Sequence, residues 1–202
     1  VEVSVRRLIQ LAALVAALPA AAEPLSGAQA RDLLFGLRGQ SVVVDRSLSE
    51  LDQTVLRMVV EMSAERMRQP LYWYAAIAYA PDVGLTTEPG PVAAANHHGV
   101  AAADRAALAA CDAVRPAGSR PCVVAARVLP RNYEPRVLEL SFGATSAFRE
   151  TYRRARGEKA MAISPGSGQF AIATGAGAAD AAVARCNALS QGAEDCVVAI
   201  LN

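Results

Sequence analysis

Four cysteines and one adjacent pair of histidines are the residues of this 202-residue chain whose types and spacing bear most directly on chemistry. Cys111 and Cys122 are near neighbours in sequence, as are Cys186 and Cys196, and the two pairs sit in similar surroundings. Four cysteines allow three pairings. The matching surroundings favour one local bridge in each half, Cys111 with Cys122 and Cys186 with Cys196. A loop of that size is worth about 2–3 kcal/mol through restriction of the unfolded chain. Zinc prefers cysteines two to four residues apart, a spacing neither pair offers.

His97 and His98 could contact a ligand or a metal, or act as a base. Consecutive residues on an extended chain point to opposite sides, which makes joint ligation awkward and favours a surface or structural role. Ser164, His97 and Asp104 supply the residue types of a serine hydrolase, but nothing resembles G-x-S-x-G. Gly166, Gly168, Gly175 and Gly177 lack the lysine and serine of a phosphate-binding loop. They read as turns, where glycine reaches positive φ without steric strain. Arg149, Arg153, Arg154 and Arg156 make a basic run, offset only by Glu150, that could meet an anion, although the pattern is more often that of a solvated helical face. The expectation is therefore no catalytic residue, no cofactor and no metal.

The elements that position the cysteines recur. Ala76 to Pro81 followed by Gly84 lines up with Ala160 to Pro165 followed by Gly168. Ala106 to Ala113 aligns with Ala181 to Ala188, and Cys122-Val123-Val124-Ala125 with Cys196-Val197-Val198-Ala199. Three blocks in one order predict two tandem copies of one unit. Tyr74 to Ala80 and Ala160 to Ser164 are short apolar runs stopped by Pro and Gly, as buried strands are, and Gln169 to Thr174 continues as a second strand. Ala101 to Val114 and Ala178 to Ser190 have the propensity and spacing of helices. Strands Cys122 to Leu129 and Cys196 to Leu201 close the units. Each bridge then joins the last turn of a helix to the start of the next strand.

Outside the copies the pattern is helical. Ser26 to Leu37 is a short amphipathic candidate. Ser47 to Met67 is a longer one, with Ser47 and Glu50 at capping-box spacing and an apolar stripe of Leu51, Val55, Met58, Val59 and Met62. Between the copies, Arg136 to Leu140 reads as a strand and Thr145 to Arg156 as a helix. At the start, Arg6 and Arg7 precede an uncharged run from Leu8 to Leu18, then Pro19 and Ala20-Ala21-Ala22, the order of a secretory signal. The run is too short to span a bilayer.

The expected organisation is a signal peptide over 1–22, an N-terminal helical segment over 23–73, and a first repeat over 74–129. A connecting strand and helix follow over 130–158, and a second repeat over 159–202. The fold class is α+β, two tandem ββαβ repeats forming one sheet packed by helices. They should make one composite domain, because a unit of this size buries too little surface to stand alone.

The blocks Ala160 to Gly168, Ala181 to Asn187 and Cys196 to Ile200 resemble the bacterial domain-of-unknown-function family 4189. Ala76 to Gly84, Ala106 to Asp112 and Cys122 to Ala126 follow the same pattern, with Asp112 in place of Asn. The resemblance covers residues 74–129 and 159–202 and implies small exported proteins with paired cysteines, without an established reaction. Similar two-copy chains carry the name of an aminolevulinate synthase. Pyridoxal-phosphate chemistry needs a Schiff-base lysine and a phosphate cradle, and the one lysine here, Lys159, lies at the edge of a strand.

Removal of residues 1–22 takes Glu2, Arg6 and Arg7 from 20 basic and 19 acidic side chains, leaving a formally neutral chain. Neutrality argues against nucleic acid or an anionic membrane as the main partner. The reading is a periplasmic or secreted, disulfide-stabilised binding protein for a protein or small ligand of the cell envelope, without stable membrane insertion. The alternative is an exported enzyme with a site around His97 and His98.

Overall fold

The computed structural model describes residues 23–65 and 71–202. The expected signal peptide and Met67 lie outside the described residues. The fold is α+β, as expected, but it holds two antiparallel sheets rather than one.

The first sheet has the order β1-β4-β2-β3, from β1 (Gln40–Val44), β2 (Ala75–Tyr79), β3 (Val92–Ala94) and β4 (Val123–Pro130). The second has the order β6-β5-β7, from β5 (Lys159–Ile163), β6 (Phe170–Thr174) and β7 (Val197–Leu201). Between β3 and β4 runs α3 (Val100–Val114), and between β6 and β7 runs α5 (Ala178–Leu189). Each half thus contains strand, strand, helix, strand. The central strand pairs with both others in each half, and both closing strands slip register at corresponding points. Ile77 faces Ala126 while Ala78 faces Val124, and Met161 faces Ile200 while Ala162 faces Val198. Ala125 and Ala199 are the extra residues, and such bulges sharpen the local twist.

The N-terminal segment lines one edge of each sheet. The strand β1 pairs along β4, and Leu25 bridges β7 in parallel through its amide to Ala199 and its carbonyl to Leu201. The segment over 23–73, expected as helical, thus also carries a strand. Helix α1 (Gly27–Leu33) lies between the two straps and starts at a capping box of Ser26 and Gln29.

Helix α2 (Glu50–Glu65) follows β1. Its cap differs from the expected Ser47 and Glu50, because the Asp45 carboxylate takes the Ser47 amide in a turn. Ser49 accepts the Asp52 amide at 3.1 Å and donates to its carboxylate at 2.7 Å. The buried face is also rotated from the expected stripe. Leu56, Val60 and Ser63 are buried, whereas Leu51 is 73% exposed and Met58 49% exposed. The helix meets the sheet where β1 and β4 lie, and i, i+4 spacing from Leu56 satisfies that contact.

The segment Arg136 to Leu140, expected as a strand, is unpaired coil. Its alternating burial comes from packing, since Leu138 and Leu140 enter a core with Leu34, Phe148, Met161 and Ile200. Helix α4 (Phe142–Glu150) begins earlier than expected, capped by Ser141, whose hydroxyl accepts the Ala144 amide. A 3₁₀ turn over Tyr152–Arg154 follows. Each sheet lies between helical layers. The first has α2 on one face and α3 on the other, and the second has α1 with α4 on one face and α5 on the other.

Candidate functional site

The cysteine bridges fix the helices that wall the grooves. Cys111–Cys122 and Cys186–Cys196 are bonded, with Cα atoms 6.1 and 6.0 Å apart. Both link the last turn of a helix to the residue before a strand, as expected. A second tie repeats with changed chemistry. The Asp112 carboxylate accepts the Cys122 amide at 3.1 Å, and the Asn187 side-chain carbonyl accepts the Cys196 amide at 3.1 Å. The Cys122 amide holds the Asp112 carboxyl below its ordinary value, helped by Arg115. A third tie is reversed. The Asp82 carboxylate takes the Arg120 amide and guanidinium, each at 2.7 Å, whereas the Asp195 carboxylate takes the Gly166 amide at 2.6 Å.

The two histidines sit where the halves meet, and they face different partners. The His98 ring accepts the Ser141 amide at Nδ1, 3.1 Å, so its proton is on Nε2 and is donated to the Gln169 carbonyl, 3.1 Å. Burial pushes this imidazole down to about 4. Neither ring nitrogen has a lone pair left for a metal or a substrate proton. His97 is buried, its amide donates to the Tyr74 carbonyl, and its Nδ1 has no partner among the described residues. Burial, then the Arg105 charge, lowers its pKa. Among the described residues no group of three or more His, Cys, Asp or Glu could hold a metal ion.

The remaining hydrolase residue types are not assembled. Ser164 is buried and donates to Asp195 at 2.5 Å, while Asp104 is held by Arg127. Of the basic run, Arg149 is turned inward, reaching the Phe35 carbonyl beyond α1 at 3.1 Å, and Arg153, Arg154 and Arg156 are exposed.

A candidate binding surface lies on the first sheet. Helix α3 covers β2 and β3 and reaches only the near side of β4, so one face of β4 and β1 stays open. The result is a groove of about 550 Å³. Leu108 forms its wall, and Val43, Val124 and Arg127 lie on its floor. Val43 faces the groove because Val42 and Val44 point to α2 and strand side chains alternate. At one end Arg127 and Asp104 make a forked pair, with Nε–Oδ1 and Nη2–Oδ2 both 2.8 Å. That pair raises the Arg127 pKa. Asp45 also lines the groove, its carboxyl held low by the Ser47 amide. The groove thus combines the apolar side chains of Val43, Leu108 and Val124 with a fixed Arg127–Asp104 charge pair at one end.

Sequence reasoning singled out Asp104 but not Val43, Leu108, Val124 or Arg127. The run Val42-Val43-Val44 was a strand signal, but nothing in the sequence brings it beside β4.

No protein-family model, no curated protein and no solved structure matches the chain. Among the described residues no helix is long and apolar enough to cross a membrane.

Proposed function

We propose that this chain is an exported binding protein of the cell envelope, built from a duplicated ββαβ unit, which holds a small amphipathic ligand on the open face of its first sheet. The observation that carries the reading is the groove left where α3 stops short of β1. Its size falls in the range of about 300–1,000 Å³ usual for ligand pockets, and its few polar groups are already oriented by one another. Two local disulfides fit an oxidising compartment. The resemblance to family 4189 and the expected leader over residues 1–22 point the same way. Corresponding bulges at Ala125 and Ala199 support duplication.

The test uses Nile red, a dye that brightens in apolar surroundings, with the full mature chain. The reading expects saturable binding at one dye per chain, weakened roughly tenfold by Val43→Asp at unchanged melting temperature, and weakened likewise by Leu108→Gln. Absence of saturable binding, or binding indifferent to both substitutions, contradicts it.

A further inference from the structure

The second sheet ends in an open edge along β6. Ser164 donates its amide to the Gln169 carbonyl and Gly175 donates its amide to the Glu158 carbonyl, each at 2.8 Å. These bonds flank the β5–β6 ladder, in which Ala162 faces Ala171 and Ala160 faces Ala173. Hydrogen-bonded pairs alternate along an antiparallel ladder. The amides and carbonyls of Phe170, Ile172 and Thr174 therefore point away from β5. No described residue takes the outer amides of Phe170 and Ile172.

Helix α5 overhangs this edge. Arg185, Ala188 and Leu189 stand opposite Phe170, Ala171 and Ile172 around an apolar groove of about 510 Å³. Ala171 is small and faces α5, which leaves a hollow between strand and helix. Leu189 is 52% exposed on the helical side. Among the described residues that line the groove the charged one is Arg185, whose Nη1 donates to the outward Ile172 carbonyl at 3.3 Å.

We infer that β6 and α5 form a docking site for the C-terminal end of an extended peptide. The peptide main chain adds a strand to β6, an apolar side chain enters the hollow over Ala171, and the terminal carboxylate meets Arg185. Unpaired main-chain groups on a sheet edge are a template for strand addition. A peptide amide that takes the Ile172 carbonyl releases the guanidinium, which then lies at main-chain level, where a terminal carboxylate sits and a side-chain carboxylate does not. Among the described residues no acidic side chain lines the groove to oppose it. The site is on the second unit and stands independently of the groove on the first.

The test is fluorescence anisotropy of fluorescein-labelled Thr-Val-Thr-Val with a free C-terminus, added to the full mature chain. Two controls accompany it, the same peptide amidated at its C-terminus and an amidated version with an internal Asp. Saturable binding of the free acid is expected, at least about tenfold weaker for both amidated peptides and for Arg185→Gln. Ile172→Pro should abolish binding, because it removes an outward donor and leaves the bonds to β5 intact. Arg185 is exposed, so its replacement tests the site even if the proline variant fails to fold. No saturable binding of the free acid, equal binding of either amidated peptide, or an unaltered affinity in Arg185→Gln overturns the inference.

Discussion

His98 and Gln169 join the two halves of the molecule through a ring-to-carbonyl hydrogen bond of 3.1 Å. The same ring takes the amide of Ser141 in the connector, so one side chain ties three segments at one point. Both bonds require the neutral ring with its proton on Nε2.

The junction should therefore be sensitive to acid. The His98 imidazole is lowered from 6.5 in the unfolded chain to about 4 in the folded one. Its contribution is complete above the unfolded value, is lost as pH falls from 6.5 toward 4, and changes no further below that. The loss is on the order of 3 kcal/mol. Urea unfolding across this window should show the slope in the native chain and a reduced slope in His98→Gln. An identical slope in both contradicts the assignment.

Gly84 and Gly168 occupy matching places in the two turns, and both have positive φ, 88° and 75°. A Cβ on Gly84 meets nothing within 4 Å, whereas one on Gly168 runs into the Asn96 carbonyl oxygen and lies 3.1 Å from the His97 Cα. Gly84→Ala should cost about 1–2 kcal/mol from backbone strain alone. Gly168→Ala should cost an additional ~1–3 kcal/mol because the junction must open. Equal costs in chemical denaturation would show that the halves do not press together there.

Asp112 and Asn187 make the same bond with different charge. The Asp112 carboxyl is held below 3.8 by the Cys122 amide, so its support is present above that value and is lost as pH falls through the lowered folded value. Asp112→Asn should keep the hydrogen bond and flatten the acid limb of the stability profile. Melting curves below pH 4 that are the same for both proteins would sink the idea.

What the sequence made legible was local. Helices α3 and α5 and strands β2, β4, β5, β6 and β7 follow from short apolar runs bounded by Pro and Gly, and from alanine-rich stretches of helical length. The cysteine links follow from spacing within matching blocks. Long-range placement was not legible. Val42 to Val44 is a β-branched run whose partner, Val128 to Ala126, lies far along the chain. Arg136 to Leu140 alternates like a strand because Leu138 and Leu140 enter a core from coil. Leu51 and Met58 fall on the helical stripe yet face outward, since the sheet meets α2 on the turn of Leu56 and Val60. His98 gave no sign of its role, because both of its partners are main-chain groups supplied by other segments. The groove has no sequence signature for a related reason, as it exists only where α3 fails to cover a strand contributed by the N-terminal segment.

Each disulfide should act alone. The two loops are of similar length, 11 and 10 residues of separation. Replacing both members of one pair by Ala should cost about 2–3 kcal/mol in either half. The combined loss should be close to the sum, because the bridges share no partner. A far smaller loss in one half would show that its helix is held by packing alone.

The most direct measurement is peptide mapping, by mass spectrometry without reduction, of the chain recovered from the periplasm or the medium of a bacterial host. The account predicts a mature chain beginning at Glu23, with Cys111 linked to Cys122 and Cys186 linked to Cys196. An intact leader on chain retained in the cytoplasm, four free thiols, or a bridge from one half to the other would contradict it.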